Sequence, residues 1–204
     1  MTALSPQRIG IFGGAFDPPH RAHVALAQVA VQQLQLDRLM VIPTGQAWHK
    51  PRRLSAAHHR LAMAALAFAA VERAEVDDRE TRRSGPSYTF ETLSELRTEF
   101  PGHQWYLIIG ADQARDLTSW QQWHEIVQSA TICVADRPYQ TGAQVQFDAE
   151  HAYPSQFVHL QLPALDIDAT TIRRALASGQ DVSALVGADV ARYIADHSLY
   201  QTAS

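Results

Sequence analysis

Cysteine is almost missing from this chain of 204 residues, where Cys133 stands alone. One thiol excludes an internal disulfide and any cysteine-based zinc cluster, and it fits a reducing compartment. A basic excess is missing as well. The chain carries 17 Lys and Arg against 21 Asp and Glu, a formal net charge of -4, so no broad positive field exists to hold a nucleic acid polymer by its backbone. A local basic pocket for a small anion is still compatible with that balance. Pro, Gly or charge interrupts every apolar run well before membrane-spanning length, and MTALSPQR lacks the apolar core of a signal peptide. These absences predict a soluble, cytoplasmic protein with no membrane partner. Internal repeats and low-complexity segments are absent too.

With 46% hydrophobic residues, the chain suffices for one well-buried domain and is short for two. A single domain over residues 1–204 is expected, with a helical part from about residue 166 onward packed on the same core. Residues 8–12 (RIGIF) read as a short buried strand, and Val24, Ala27, Val31 and Leu34 then recur at helical spacing. Residues 38–43 form a second strand, and Ser55 is the expected N-cap of a helix whose apolar face carries Leu61, Ala65 and Phe68. A short strand over 74–77 follows, then a helix with Leu93, Leu96 and Phe100 on one face. Residues 105–109 (WYLII) are apolar on both faces, which suits a central parallel strand covered on each side. Residues 131–135 and 157–160 supply two more strands, 136–156 a surface excursion, and 166–177 and 187–197 two terminal helices. This alternation predicts an α/β three-layer fold with a mainly parallel sheet, whose ligands bind beyond the carboxyl ends of the strands.

The stretch GGAFDPPHRAH, residues 13–23, leaves the first strand at that edge. Gly13 and Gly14 let an anion approach free backbone N–H groups at the start of a helix. The turn lacks the Gly-Lys-Ser/Thr ending of a P-loop and the three spaced glycines of a dinucleotide fingerprint. Three residues apart, His20 and His23 fall on one side of a helical start, where two imidazoles can donate to phosphate oxygens that gain charge in a transition state. Metal ligation by the pair is the competing reading, but HxxH supplies only two ligands, and neither HExxH nor a cysteine partner is present. A second anion-receiving helix end is expected at DIDATTIRRAL, with Asp168 as N-cap and Thr170, Thr171 and Arg173 in the first turns. Lys50 follows His49 between two prolines, in a loop where an ammonium can act as a mobile point charge.

The signature at residues 13–23 resembles the GGxFDPxHxGH motif of the HxGH nucleotidyltransferases, and within them the bacterial nicotinate-nucleotide adenylyltransferases. Other landmarks occur in the family's order: PTGQAWHKP at 43–51, PSYTFETL at 86–93, IGAD at 109–112 followed by Trp120, RP at 137–138 and DIDATTIR at 166–173. The resemblance covers nearly the whole chain. It implies a Rossmann-like nucleotidyltransferase fold and transfer of the adenylyl group of ATP to nicotinate mononucleotide by direct in-line attack. In that reading the Gly13, Gly14, Ala15 and Phe16 backbone, with His20 and His23, holds the α-phosphate region. Arg173, with Asp168, Thr170 and Ile172 of the last motif, receives the β- and γ-phosphates, and Lys50 reaches the attacking phosphate. Trp120, on a short helix after IGAD that also carries Trp123, stacks on the pyridine ring while backbone N–H groups near Thr89 and Gln121 receive the nicotinate carboxylate. Asp112 accepts from a ribose hydroxyl or else caps its helix, and Arg137 completes the acceptor pocket.

Magnesium is expected to arrive with ATP, because no protein cage of carboxylates is visible. A homo-oligomer is compatible with the sequence. Three positions depart from the motifs: Ala22 replaces the glycine of HxGH, Ala15 replaces a hydroxyl residue, and Asp168 puts a carboxylate beside the expected triphosphate. Two alternatives stay open at this point. One is a related transferase acting on nicotinamide mononucleotide or phosphopantetheine, and the other a nucleotide-sensing module without turnover.

Overall fold

Runs with no polar face become the middle of the sheet. In the computed structural model, which describes residues 5–46, 54–136, 147–163 and 165–201, β1 (Arg8–Gly14), β2 (Arg38–Pro43), β3 (Ala74–Val76), β4 (Gln104–Gly110), β5 (Thr131–Asp136) and β6 (Phe157–Gln161) join in the order β3-β2-β1-β4-β5-β6. Every neighbouring pair is parallel. The WYLII run lies in β4, buried throughout, between β1 and β5. Alternation within each strand divides the side chains between two faces. Ile9, Ile11, Met40, Ile42, Trp105, Leu107 and Ile109 enter one cluster, while Leu39, Val41, Tyr106 and Ile108 enter the other.

Helices cover both faces. The first cluster lies under α4 (Thr89–Glu99) and α6 (Trp123–Ser129), the second under α1 (Arg21–Gln33) and α2 (Ala57–Phe68). Short helices α3 (Arg79–Arg82), α5 (Ala111–Arg115) and α7 (Asp148–Ala152) fill connections, and α8 (Ala169–Ala177), α9 (Ser183–Val186) and α10 (Ala188–Asp196) follow the last strand. The terminal helices meet in a third cluster, where Ile172, Val182, Val186, Val190 and Ile194 surround Met63 of α2. None of the helices described is long and apolar enough to cross a membrane.

Four expectations are corrected. Gly13 and Gly14 are the last two residues of β1, paired with Ile42 and Pro43, so the turn begins at Ala15. Ser55 does not cap α2; its N-cap is Ala56, and the buried face carries Arg60, Met63, Ala64 and Phe68 in place of Leu61 and Ala65. The face is rotated because a guanidinium enters the interior to reach backbone carbonyls. Trp120 and Trp123 do not share a helix: Trp120 follows the 3-10 turn Leu117–Ser119, and Trp123 opens α6 after the left-handed Gln122. The excursion over 136–156 is not all surface, since Phe147 and Ala149 are buried in the first cluster beside α7.

At one edge of the sheet, the side-chain amide of Gln33 donates to the Gln161 carbonyl and accepts from the Gln161 N–H, both at 3.1 Å. The last residue of α1 thus pairs with the outer strand as a neighbouring backbone would.

Candidate active site

The strand order reverses between β1 and β4, the place where a parallel sheet opens a crevice at its carboxyl edge. Gly13 and Gly14 end β1 there, and Gly110 ends β4. A side chain at Gly13 would meet nothing within 4 Å, whereas one at Gly14 would strike the Phe16 ring at 2.9 Å. Phe16 is buried at a φ of 45°, and it packs edge-on against Phe12, Phe68 and His23. The Asp17-Pro18 peptide that follows is cis.

His20 is the N-cap of α1 and is buried, with a relative exposure of 6%. Its backbone N–H donates to Nδ1 of His23 at 3.2 Å, and the His23 N–H donates to the His20 carbonyl at 2.9 Å. The rings stack at 3.7 Å between centroids. A ring nitrogen that accepts an N–H carries no proton, so neutral His23 holds its proton on Nε2. The reciprocal cap therefore fixes the tautomer in which the outer nitrogen donates.

Asp168 settles its own orientation. Its Oδ1 accepts from the N–H groups of Thr170 at 2.8 Å and Thr171 at 2.9 Å, and its Oδ2 from the Thr171 hydroxyl at 2.7 Å. These bonds, led by the Thr171 N–H, hold the carboxyl below its usual range, with nearby His20 adding to the effect. Arg173 donates to the Asp17 carbonyl at 2.8 Å and to the Thr170 hydroxyl at 3.0 Å, so α8 is bonded to the glycine turn. Ile172, expected among the phosphate-binding positions, is a packing residue: its side chain is fully buried and its N–H bonds the Asp168 carbonyl.

On the other side of the crevice, Thr89 is the first residue of α4, where backbone N–H groups lack intrahelical acceptors. Trp120 is half-buried against the first cluster and Gln121 is exposed beside it. Asp112 does not cap α5; Gly110 does, with its N–H bonded to the Gln113 side chain, and the exposed Asp112 carboxylate pairs with Arg115 at 3.0 Å. Lys50, with His49, and Arg137 lie outside the described residues.

Three buried groups behind the crevice went unread in the sequence. Arg60, 2% exposed, donates to the carbonyls of Ser55 at 2.9 Å, Ala15 at 3.0 Å and Gly45 at 3.3 Å. Burial pulls its guanidinium down from the ordinary value, while Asp17, Tyr200 and Glu80 hold it up. Asp17, 3% exposed, accepts from the Ser55 N–H at 3.2 Å and the Tyr200 hydroxyl at 2.6 Å. Glu80 accepts from the Thr92 hydroxyl at 2.8 Å, and burial raises its pKa against the hydrogen bonds from Thr92, Thr44 and Ser87. The Gly45 N–H meets the Ser87 hydroxyl at 3.2 Å, and a side chain at Gly45 would collide with the Glu80 carbonyl at 2.2 Å. Only Asp17 had a signal, its place inside the signature stretch.

Two depressions of about 530 and 340 Å³, both lined by His103 and Trp105, lie at the opposite, amino end of β4. Neither includes a candidate residue. Among the described residues, no three His, Cys, Asp or Glu side chains are placed to hold a metal ion.

Comparison with known proteins bears on this site. The cytidylyltransferase-like family model matches residues 11–175, which includes both the glycine turn and Arg173. A probable nicotinate-nucleotide adenylyltransferase of Albidiferax ferrireducens is 55% identical over 97% of this chain and all of its own length. One from Synechococcus sp. is 40% identical over 98% of this chain and 99% of its own. The Plasmodium falciparum nicotinic acid mononucleotide adenylyltransferase complexed with NaAD shares the fold at a TM-score of 0.79, with 19% identity over 95% of this chain and 97% of that one. The signature turn, the six-stranded parallel sheet and these relatives agree, and the chain belongs to the cytidylyltransferase-like family and, within it, to the nicotinate-nucleotide adenylyltransferases.

Proposed function

We propose that this chain transfers the adenylyl group of ATP to nicotinate mononucleotide, releasing pyrophosphate and forming nicotinate adenine dinucleotide. The observation that carries the reading is the bond between Arg173 and the Asp17 carbonyl, which brings an arginine-bearing helix start to the histidine turn at one crevice. Phosphoryl-type transfer needs little covalent chemistry from the protein; positioning and charge stabilisation suffice.

The 5'-phosphate of the mononucleotide attacks the α-phosphorus in line, one P–O bond forms as the bond to pyrophosphate breaks, and no enzyme intermediate is needed. Gly13 leaves room for the α-phosphate, and His20 and His23 donate to its oxygens, His23 through Nε2. The backbone at Gly14, Ala15 and Phe16 lines the approach. Arg173 and the Thr170 hydroxyl take the departing pyrophosphate, and Lys50 the attacking phosphate. Trp120 carries the pyridine ring, the N–H groups near Thr89 and Gln121 receive its carboxylate, and Asp112 and Arg137 complete the acceptor pocket. A carboxylate on backbone donors is a charge-assisted contact that a neutral amide does not reproduce, so nicotinate is favoured over nicotinamide.

Magnesium suits the triphosphate better than the protein, since both Asp168 oxygens are already engaged by three donors. It would supply charge neutralisation on the phosphates. The reaction is expected to proceed in the cytoplasm within a single domain, with a homo-oligomer as one assembly.

The test is pyrophosphate release from Mg-ATP with nicotinate mononucleotide, nicotinamide mononucleotide or 4'-phosphopantetheine offered separately. Strong preference for the first is expected. Preference for another acceptor would overturn the acceptor pocket, and release with none would favour nucleotide sensing. Each of His20→Ala and His23→Ala should lower kcat about 10²- to 10³-fold with folding intact; near-normal turnover in both would overturn the site.

A further inference from the structure

The first and last parts of the terminal helical segment are bonded to the same residue. Arg173, near the start of α8, donates to the Asp17 carbonyl, and Tyr200, just beyond α10, donates to the Asp17 carboxylate at 2.6 Å across 183 positions of chain. The second carboxylate oxygen accepts from the Ser55 N–H, and Arg60 reaches the Ser55, Ala15 and Gly45 carbonyls beside it. Asp17 is thus a buried knot joining the glycine turn, the chain around Ser55 and the terminal helices. Hydrogen bonds to an ionised buried acceptor are stronger than neutral ones, and deleting one donor leaves the acceptor partly unsatisfied.

We propose that Tyr200 is a positioning residue for the adenylyl transfer: through Asp17 it fixes the carbonyl on which Arg173 is aligned, and so sets where α8 stands relative to the histidine turn. The inference rests on the function proposed above for its kinetic consequence, but not for the clamp itself. The Tyr200 ring packs in the third cluster, and its hydroxyl lies 3.9 Å from the Met63 sulfur, so the phenol enters from the helical layer and ends at the turn. Arg173 spends two donor nitrogens on Asp17 and Thr170, and these contacts decide how the guanidinium faces the crevice. A shift of the Asp17 peptide therefore moves the groups that face the leaving pyrophosphate while Thr89 and Trp120 stay in place.

Tyr200→Phe removes one oxygen and keeps the ring in its cluster. Well below its melting temperature, the variant is expected to lose about tenfold in kcat/KM for ATP, with the KM for nicotinate mononucleotide unchanged within about twofold. If Tyr200 acts through Arg173, adding Tyr200→Phe to Arg173→Lys should cost less than about twofold further. Amide exchange at Ser55, which needs no substrate, should quicken about tenfold in Tyr200→Phe. A variant that melts earlier but turns over ATP normally would overturn the proposal by reducing Tyr200 to a structural role. Losses that multiply fully with Arg173→Lys, or unchanged exchange at Ser55, would overturn it as well. If the unaltered protein used no acceptor, the proposed function would fail while the exchange measurement still judged the clamp.

Discussion

At the scale of single residues, Asp168 shows how one position can serve the fold at a cost to the ligand. Its carboxylate caps α8 through three hydrogen bonds, and the same negative charge stands where a triphosphate is proposed to lie. Like charges at short range repel. Asp168→Ser keeps an N-capping oxygen and removes the charge, so the KM for Mg-ATP is expected to fall severalfold while stability changes by less than about 1 kcal/mol, as steady-state kinetics and thermal melts would show. The acid side has a fixed sign. The folded carboxyl titrates below the ordinary aspartate range because of the Thr171 and Thr170 bonds, so its contribution is full above about pH 4, where the unfolded group ionises, and is lost as pH falls through the folded value. Glu80 runs the other way: burial raises it, so its ionisation costs stability as pH rises past the unfolded value. Glu80→Gln keeps an acceptor for Thr92 and should melt close to the parent at pH 7, whereas Glu80→Ala leaves that hydroxyl unpaired and should cost about 1–3 kcal/mol. Equal melting of the two variants would refute this account.

At the scale of elements, β1, β2, β4 and β5 were legible because each is a short, mostly buried run set between turn residues, and the period-two division of β2 and β4 between two clusters follows from the same pattern. The histidine turn and the cap at Asp168 were legible for a local reason: their partners lie within three residues. Arg60 was not. Helical periodicity marks which face is apolar, and a cation that turns inward to collect the carbonyls of Ala15, Gly45 and Ser55 rotates that face without leaving a trace in the pattern. Tyr200 was hidden by its distance along the chain from Asp17. The contact of α2 with α10 is expected to respond to pH through His59. His59 bonds the Tyr193 hydroxyl at 2.9 Å, and the His58 and His197 rings lie 4.0 and 5.1 Å from it. Burial, then His58 and His197, lowers its pKa. A lowered histidine leaves stability intact above the unfolded value near 6.5 and removes it as pH falls toward the folded one. Thermal melts from pH 7.5 to 5 should therefore show a loss that is smaller in His197→Gln; an identical loss in that variant would place the titration elsewhere.

At the scale of the whole molecule, the order β3-β2-β1-β4-β5-β6 opens its crevice between the first and fourth strands and leaves two strands, β3 and β6, at the rims. A rim strand offers unpaired N–H and C=O groups to any other chain. β6 is the longer of the two, and the Gln33 amide already occupies both polar groups of Gln161. The side chain behaves as a strand one residue long, and the sheet is closed at that point to further growth. Gln33→Ala uncovers the Gln161 N–H and C=O, and light scattering on a concentration series should show greater self-association than in the parent; identical scattering would mean the rim is protected by other means. The helix capped by His20 at one end thus meets the outer strand at Gln161 with the other, so that the segment presenting the histidines also covers the last residue of the rim.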